Sequence, residues 1–234
     1  MRVSTISCLF FSAAVACGGT AVVDKATVGS ESTGGAGAGG GSANLRPNDQ
    51  IQSVDDVDHA GGQYPPVPPG SSAFFWRGGL GNWFVTSSDG SSRDAPIDDV
   101  IPPRGDSHKA YHVTETAPGV GIDLWAQLNH PQGSGVDLSP YVAMSFWARM
   151  DSPGSKLTVA FGSNGQISSV ISTPSSVPQK VVSLSEVWAQ FVVRFDEVGL
   201  KPKSVSSIDF VASGTGSIGL WVDDLGFLCQ GTCP

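Results

Sequence analysis

The feature that most constrains the fold is an apolar run near the carboxyl terminus that carries two adjacent carboxylates. Residues 218–227 have the character of a buried strand, yet Asp223 and Asp224 interrupt it. Burying a carboxylate is costly unless its charge is compensated, and a hard cation with oxygen ligands from a second acidic strand compensates it well. The candidate second strand is residues 54–58, at the start of the folded region. We therefore expect the first and last strands of a β-sandwich to lie side by side.

The composition favours an all-β protein and excludes some partners. The chain has 234 residues, a formal net charge of -8 and only 15% charged residues, with 30 Gly and 16 Pro. Helix formers are sparse, whereas strand formers and turn residues are abundant. The acidic balance argues against nucleic acid, and against an anionic membrane surface, as a binding partner.

The amino terminus has the character of a secretory signal. Arg2 precedes an apolar run over residues 6–15, which is too short to span a bilayer. The run ends in AVACG, which resembles the bacterial lipoprotein signal, and that resemblance implies a lipid on Cys17. It also implies anchoring in the envelope of a Gram-negative bacterium, at the outer membrane because Gly18 is not Asp. An ordinary signal peptide that is cut nearby remains the alternative.

The rest of the chain divides into a tether and a domain. We expect a signal peptide over residues 1–16, a Gly/Ser-rich flexible linker over 17–50 and a β-sandwich binding domain over 51–234, because the linker has too little apolar surface to fold. Cys229 and Cys233 are the cysteines of that domain, and Gly231 lies between them. In an oxidising compartment we expect them to form a small disulfide loop, with free thiols as the alternative.

Alternating patterns predict strands throughout the domain. Residues 142–150 alternate between an apolar face and a face with Trp147 and Arg149, and residues 156–162 repeat the pattern. Gly and Pro connections at regular intervals favour a jelly-roll β-sandwich. Residues 109–116 and 120–128 are predicted as a pair, and residues 214–219 as a hairpin loop before the last strand. Further strands are predicted at 53–57, 82–87, 188–195 and 205–211.

Five motifs, in order along the chain, resemble those of galactose-binding-like jelly rolls, especially family 11-type carbohydrate-binding modules. They are VDDVD at 54–58, GNWFV at 81–85, MSFWAR at 144–149, WAQFVVRF at 188–195 and LWVDDL at 220–225. The resemblance implies a sugar-binding jelly roll in which a structural calcium joins the first and last strands. The calcium ligands that it implies are Asp56, Asp58, Asp223 and Asp224.

The resemblance also implies a polysaccharide or oligosaccharide bound on a sheet face by aromatic and polar side chains. The best candidates are Trp147 and Arg149, with Tyr111, Trp125 and Asp123 on strands predicted to be neighbours. The alternative is that these aromatic side chains only pack in the core. For the remaining tryptophans, which are Trp76, Trp83, Trp188 and Trp221, we expect core or strand-end packing.

The sequence does not favour an enzyme. Adjacent carboxylates such as Asp98 and Asp99 should point to opposite faces of a strand, whereas a glycosidase needs two carboxylates across a cleft. The four histidines show no metal-binding spacing. Two hypotheses remain: a non-catalytic carbohydrate-binding module tethered to the envelope through its lipid anchor alone, and a structural or assembly lipoprotein that uses the same fold for protein–protein contact.

Overall fold

The fold is known from a computed structural model. It describes residues 45–55, 57, 80–86, 92–104, 107–116, 121–128, 135–152, 154–163, 176–214, 216–231 and 233, all within a compact unit that spans Gly35–Pro234. Over these residues the chain forms strands and one short 3-10 turn at Pro202–Ser204. None of the described segments is a helix of the length and apolarity that a membrane crossing needs.

The described strands number twelve. In chain order they are β1 (Asp49–Asp55), β2 (Leu80–Thr86), β3 (Ser92–Asp94), β4 (Ile97–Arg104), β5 (Ser107–Glu115), β6 (Gly121–Leu128), β7 (Ala143–Met150), β8 (Lys156–Ser163), β9 (Gln179–Ser183), β10 (Ala189–Arg194), β11 (Val205–Ser213) and β12 (Ile218–Gln230).

The strands form two antiparallel sheets that make a β-sandwich. The terminal sheet, named here for its first and last strands, has the order β10-β7-β12-β5-β4, with β1 also pairing with β12. The opposite sheet has the order β3-β2-β6-β11-β8-β9. The all-β sandwich expected from the sequence is therefore present.

The two ends of the folded region lie side by side, as the acidic motifs predict. β1 runs antiparallel to β12, from the pair Asp49–Gln230 to the pair Asp55–Leu225. The pairing shifts between Ser53 and Asp55. Gly226 permits the close approach, because a Cβ atom there would lie 2.7 Å from Cγ2 of Ile51.

The core lies between the sheets and is built from alternate residues of both. On β7 the buried side chains include Met144 and Phe146, and on β8 they include Leu157, Val159 and Phe161. This is the alternation that the sequence predicts for these two strands. Full burial of such side chains contributes about 1.5–3 kcal/mol each, so the interleaved rows hold the two sheets together.

Two predicted strand pairings are wrong. β5 belongs to the terminal sheet and β6 to the opposite sheet, so they do not pair. β11 and β12 are likewise in different sheets, so the connection between them joins two sheets and is not the hairpin loop predicted at residues 214–219. Period-2 alternation identifies a strand and its buried face, but a short connection serves either a hairpin or a crossing between layers.

Three strands were absent from the sequence prediction, namely β3, β4 and β9. β4 carries Pro102 and Pro103 and lies at the edge of the terminal sheet. Its pairing with β5 is interrupted between Asp99 and Arg104. Proline cannot donate to a ladder and is tolerated at an edge, which explains why this strand has an atypical sequence.

The carboxyl terminus is closed by a disulfide. Cys229 and Cys233 are bonded, with their Cα atoms 5.4 Å apart. Gly231, between them, has a φ of 83°. That left-handed conformation costs glycine little, and it turns the chain back so that the two sulfurs meet.

Candidate functional site

The five side chains predicted to bind a glycan lie in three separate places. Trp147 and Arg149 are on the outward face of the terminal sheet, because β7 directs its alternate residues into the core. Trp125 and Asp123 are on the outward face of the opposite sheet. Tyr111 is in the core. The expectation that β5 and β6 place their candidates beside those of β7 is therefore wrong.

Tyr111 is a packing residue. It is 5% exposed, and its ring stacks on that of Trp83 at a centroid distance of 4.5 Å. His112, the next residue, points outward and stacks on Trp221. A strand sends neighbouring side chains to opposite faces, so one residue of this pair had to enter the core.

The outward face of the terminal sheet carries an arginine–tryptophan face, formed by Arg104, Trp147, Arg149, Trp188 and Trp221. The Arg104 guanidinium carbon lies 4.4 Å from the ring centroid of Trp147 and 5.6 Å from that of Trp188. The Arg149 guanidinium carbon lies 4.4 Å from the centroid of Trp221 and 5.6 Å from that of Trp188. Trp221, which is 7% exposed, and Trp188, which directly precedes β10, pack with Val100 and Ala110 in a small apolar cluster apart from the main core, which agrees with the expected core or strand-end packing.

Asp151 holds this layer in place. Its Oδ1 accepts hydrogen bonds from Nε1 of Trp221 at 2.7 Å and from Nη1 of Arg149 at 3.1 Å. Its Oδ2 lies 3.2 Å from Nε2 of His112. Gly219 provides the room, because a Cβ atom there would lie 2.0 Å from that Oδ2. The guanidiniums of this face therefore already lie against its indoles.

The outward face of the opposite sheet has a different character. We call it the carboxylate face and define it by Phe84, Thr86, Asp123, Trp125 and Asp209. In the strand register, Trp125 is flanked by Phe84 on β2 and by Asp209 on β11. Asp123 is flanked by Thr86 on β2. Two carboxylates from neighbouring strands thus lie beside an indole.

The two carboxylates are buried close to each other. Asp123 is 1% exposed and Asp209 is 0% exposed. Burial, together with the charge of Asp209, raises the pKa of Asp123 to about 8. Asp209 accepts a hydrogen bond from Oγ of Ser207 at 2.9 Å. Neither carboxylate oxygen of Asp123 has a hydrogen-bond partner in the structure.

Asp123 stands out when it is compared with other buried carboxylates of the described chain. Asp49 forms an ion pair with Arg194, and Asp223 forms one with Arg104. Buried acids are generally paired in this way, because an uncompensated charge is costly. An orphaned carboxylate in a native structure calls for an explanation, and a ligand with hydroxyl donors is one.

The surroundings of Asp123 are aromatic and polar, and most of them are buried with it: Trp125 is 5% exposed and Thr86 is 7% exposed. Trp125 stacks on Phe84 at a centroid distance of 4.7 Å. The Trp125 Nε1 donates to Oγ1 of Thr86 at 3.0 Å, which fixes the plane of the indole. On β8 the register places small residues, with Ala160 opposite Asp209 and Gly162 opposite Ser207. An aromatic plane, carboxylates and a small-residue strip are suited to the apolar and hydroxyl surfaces of a pyranose ring.

The metal and lipid candidates are only partly within the described chain. Asp223 and Asp224 both contact the guanidinium of Arg104. Asp56, Asp58 and Cys17 lie outside the described residues. In the described part of the chain, no cluster of three or more His, Cys, Asp or Glu is arranged to hold a metal ion.

Comparison with known proteins gives a distant structural likeness. No family model matches the chain, and no curated protein matches it. Solved structures similar to it include the family 11 carbohydrate-binding module of the cellulosomal cellulase Lic26A-Cel5E of Clostridium thermocellum. That match has a TM-score of 0.48 and 14% identity, and it covers 78% of this chain and 96% of that one.

Two further matches are also carbohydrate-binding modules. The family 30 module of the cellulase Cel9D-Cel44B of Clostridium thermocellum matches with a TM-score of 0.48 and 11% identity, covering 64% of this chain and 92% of that one. TmCBM61 in complex with beta-1,4-galactotriose matches with a TM-score of 0.41 and 12% identity, covering 64% and 90%. Because these TM-scores and identities are low, we assign the β-sandwich from the strand pairing of this protein itself.

Sequence reasoning missed two residues of these faces. Asp209 lies alone between apolar neighbours, Ile208 and Phe210, and that is the same signal that singled out Asp223. It could therefore have been found. Arg104 had no local signal, because its carboxylate partner Asp223 is 119 residues away.

Proposed function

We propose that this protein is a non-catalytic carbohydrate-binding module whose carboxylate face binds a neutral polysaccharide or oligosaccharide. The observation that carries the proposal is the buried Asp123 carboxylate without a partner, beside Asp209 and the indole of Trp125. Sugar hydroxyls donate hydrogen bonds to carboxylates, and the sugar ring stacks on an indole. The sequence resemblance to family 11-type modules supports the same function.

The charge of this face favours a neutral glycan. The charge of Asp209 would repel a uronate or a sulfated sugar, because like charges brought together in a buried site are costly. At neutral pH the raised pKa keeps a proton on Asp123, which then donates one hydrogen bond as well as accepting others. Since both carboxylates are buried, we expect slow association.

The test is retention of the purified protein in gels that contain single polysaccharides, neutral or uronate-containing. Asp123→Leu removes the hydrogen-bonding groups of the protonated acid at similar shape, and Asp209→Asn keeps the side-chain shape and removes the charge. Trp147→Ala is the matched control on the arginine–tryptophan face. We expect retention by a neutral polysaccharide, its loss in Asp123→Leu and in Asp209→Asn, and its persistence in the control. Retention that depends on Trp147 and not on Asp123 would contradict the choice of face.

We further propose that the module has no hydrolytic activity and is held at the envelope by its tether. Incubation with the retaining polysaccharide should release no reducing ends. Cys17 would carry the lipid at the outer membrane of a Gram-negative bacterium, and the linker would let the domain sample glycans. Labelled fatty acid should enter the wild-type protein and not Cys17→Ser. Label in both proteins would contradict lipidation at this residue.

The alternative function is a structural or assembly lipoprotein, and the arginine–tryptophan face favours it. Trp147, Trp188 and Arg149 are half-buried at the surface, and tryptophan and arginine are the residues that dominate protein–protein contacts. Absence of retention on every polysaccharide, together with a cross-link from this face to a defined envelope protein, would favour this function over glycan binding.

A further inference from the structure

The carboxylates of Asp223 and Asp224 are adjacent in β12, yet they meet the same cation. In a regular strand these side chains would point to opposite faces. Here the pairing of β12 with β7 shifts between Asp223 and Gly226, and Asp224 has a φ of 45°. The irregularity lets both carboxylates reach Nη2 of Arg104, with Oδ2 of Asp223 at 2.7 Å.

The buried carboxylate of Asp223 has its hydrogen bonds filled by protein groups. Besides Arg104, Oδ2 accepts from Oγ of Ser107 at 2.6 Å. Oδ1 accepts from the backbone N–H of Asp224 at 2.8 Å. The Asp223 side chain is 0% exposed, whereas that of Arg104 is 15% exposed. The charge that a buried strand carboxylate requires is therefore supplied from within the chain.

Arg104 is itself held in position. It ends β4 and is paired with Ser107 at the start of β5. Its guanidinium lies against the ring of Trp147. Hydrogen bonds to Asp223 and Asp224 raise its pKa above the ordinary value, against the effect of burial. An arginine keeps its charge under all these conditions, so the cation is permanent.

This arrangement does not fit the calcium that the sequence resemblance implies at Asp223 and Asp224. A divalent cation at these carboxylates would lie beside the guanidinium and be repelled by it. Of the oxygens that such an ion needs, Oδ2 of Asp223 is already used by Arg104 and Ser107, and Oδ1 of Asp223 is used by the backbone N–H of Asp224. The other two implied ligands, Asp56 and Asp58, lie outside the described residues.

We propose that Arg104 is the built-in cation of the last strand, in place of a divalent metal, and that it ties the edge strand β4 across β5 to β12. The fold then requires no calcium. Loss of the arginine leaves two carboxylates uncompensated and frees the end of β4. Loss of the arginine should therefore lower the stability and speed hydrogen exchange of the β4 amides, whether or not the protein binds a glycan.

The test is thermal unfolding of the full chain with EDTA and with added Ca²⁺, together with a measurement of bound metal. We expect the wild-type Tm to be the same in both conditions and the calcium content to be far below one ion per chain. A Tm that falls on chelation and recovers with Ca²⁺, or one calcium per chain, would overturn the proposal.

Variants test the arginine directly. Arg104→Gln should lower the Tm by on the order of 10 °C and speed exchange of the β4 amides. Arg104→Lys, which keeps the charge, should fold with a smaller loss of Tm. It is the variant to measure if Arg104→Gln does not fold. Adding Asp223→Asn to Arg104→Gln should recover part of the Tm. Equal Tm values for wild type and Arg104→Gln would overturn the proposal.

Discussion

The two outward faces of the sandwich both carry tryptophan beside charged side chains, but they differ in how far those charged side chains are paired. The arginine–tryptophan face has three indoles and two guanidiniums, and these groups contact one another and Asp151. The carboxylate face has one indole and two buried acids, and both oxygens of Asp123 lack a partner. The difference shows that the kinds of residue on a face do not identify a binding site. On the arginine–tryptophan face Nε of Arg104 is also buried without a hydrogen-bond partner, but its guanidinium is paired with Asp223, whereas both oxygens of Asp123 are unpaired. The proposed site rests on that contrast.

The largest expected effect tests whether the arginine–tryptophan face is structural. Trp221 is 7% exposed and contacts His112 and Arg149. Trp221→Ala should lower the free energy of unfolding by about 3–5 kcal/mol, because it leaves a cavity and two stacked groups without a partner. Urea unfolding measures the loss. A loss below about 1 kcal/mol would show that this layer is loosely packed.

The next effect tests the state of the carboxylate face through pH. Folding raises the pKa of Asp123 from 3.8 to about 8, so the folded state holds this proton more tightly than the unfolded state does. The stabilising contribution of this proton is complete below pH 3.8, the ordinary pKa of the group, and it is lost as the pH rises towards 8. Stability should therefore fall over this range, by roughly 2–5 kcal/mol.

Asp123→Asn provides the control for the pH effect. It removes the titrating group and keeps the shape, so the slope between these pH values should become flatter. Urea unfolding at a series of pH values measures both proteins. An unchanged slope in the variant would mean that Asp123 is ionised and compensated at neutral pH, and the contrast between the two faces would then be lost.

A smaller effect tests binding itself. Asp209→Asn should weaken the affinity for a neutral oligosaccharide about 10- to 100-fold, which corresponds to about 1.4–2.8 kcal/mol of binding free energy. Titration calorimetry measures it, with Trp147→Ala as the control expected to bind normally. Equal affinities for wild type and Asp209→Asn would remove this carboxylate from the site.

The smallest effect concerns Asp151. Its side chain is 40% exposed, so solvent screens its contacts with Arg149 and His112. Asp151→Asn should cost less than about 1 kcal/mol of stability and leave glycan affinity unchanged. Urea unfolding and calorimetry check these values. A large loss of affinity would show that the two faces are coupled or that the site is misplaced.

The sequence was sufficient to predict most of the strands, but it was insufficient to predict which strands pair with each other. Alternation identified β7 and β8 and their buried faces, because solvent and core impose a two-residue period on each strand. The acidic motifs near both ends led correctly to the pairing of β1 with β12. The crossings from β5 to β6 and from β11 to β12 were read as local pairs, since a short turn gives no information about the layer that the next strand joins.

The site was less predictable for a related reason. Trp125 and Asp123 were both identified as candidates, but their neighbour Asp209 meets them only through the register of β11 with β6. Arg104 and Asp223 meet through the order of strands in the terminal sheet. Contacts between distant segments depend on topology, and topology is what local patterns specify least.

The most direct test of the central claim is carbon-detected NMR of the aspartate carboxyl groups during titration with a neutral oligosaccharide. If Asp123 and Asp209 bind the sugar, their carboxyl signals should shift as the ligand is added, and the pH at which Asp123 titrates should move from its ligand-free value near 8. Saturation of binding with both signals unchanged, accompanied by shifts of the Trp147 and Trp188 indoles, would contradict the account.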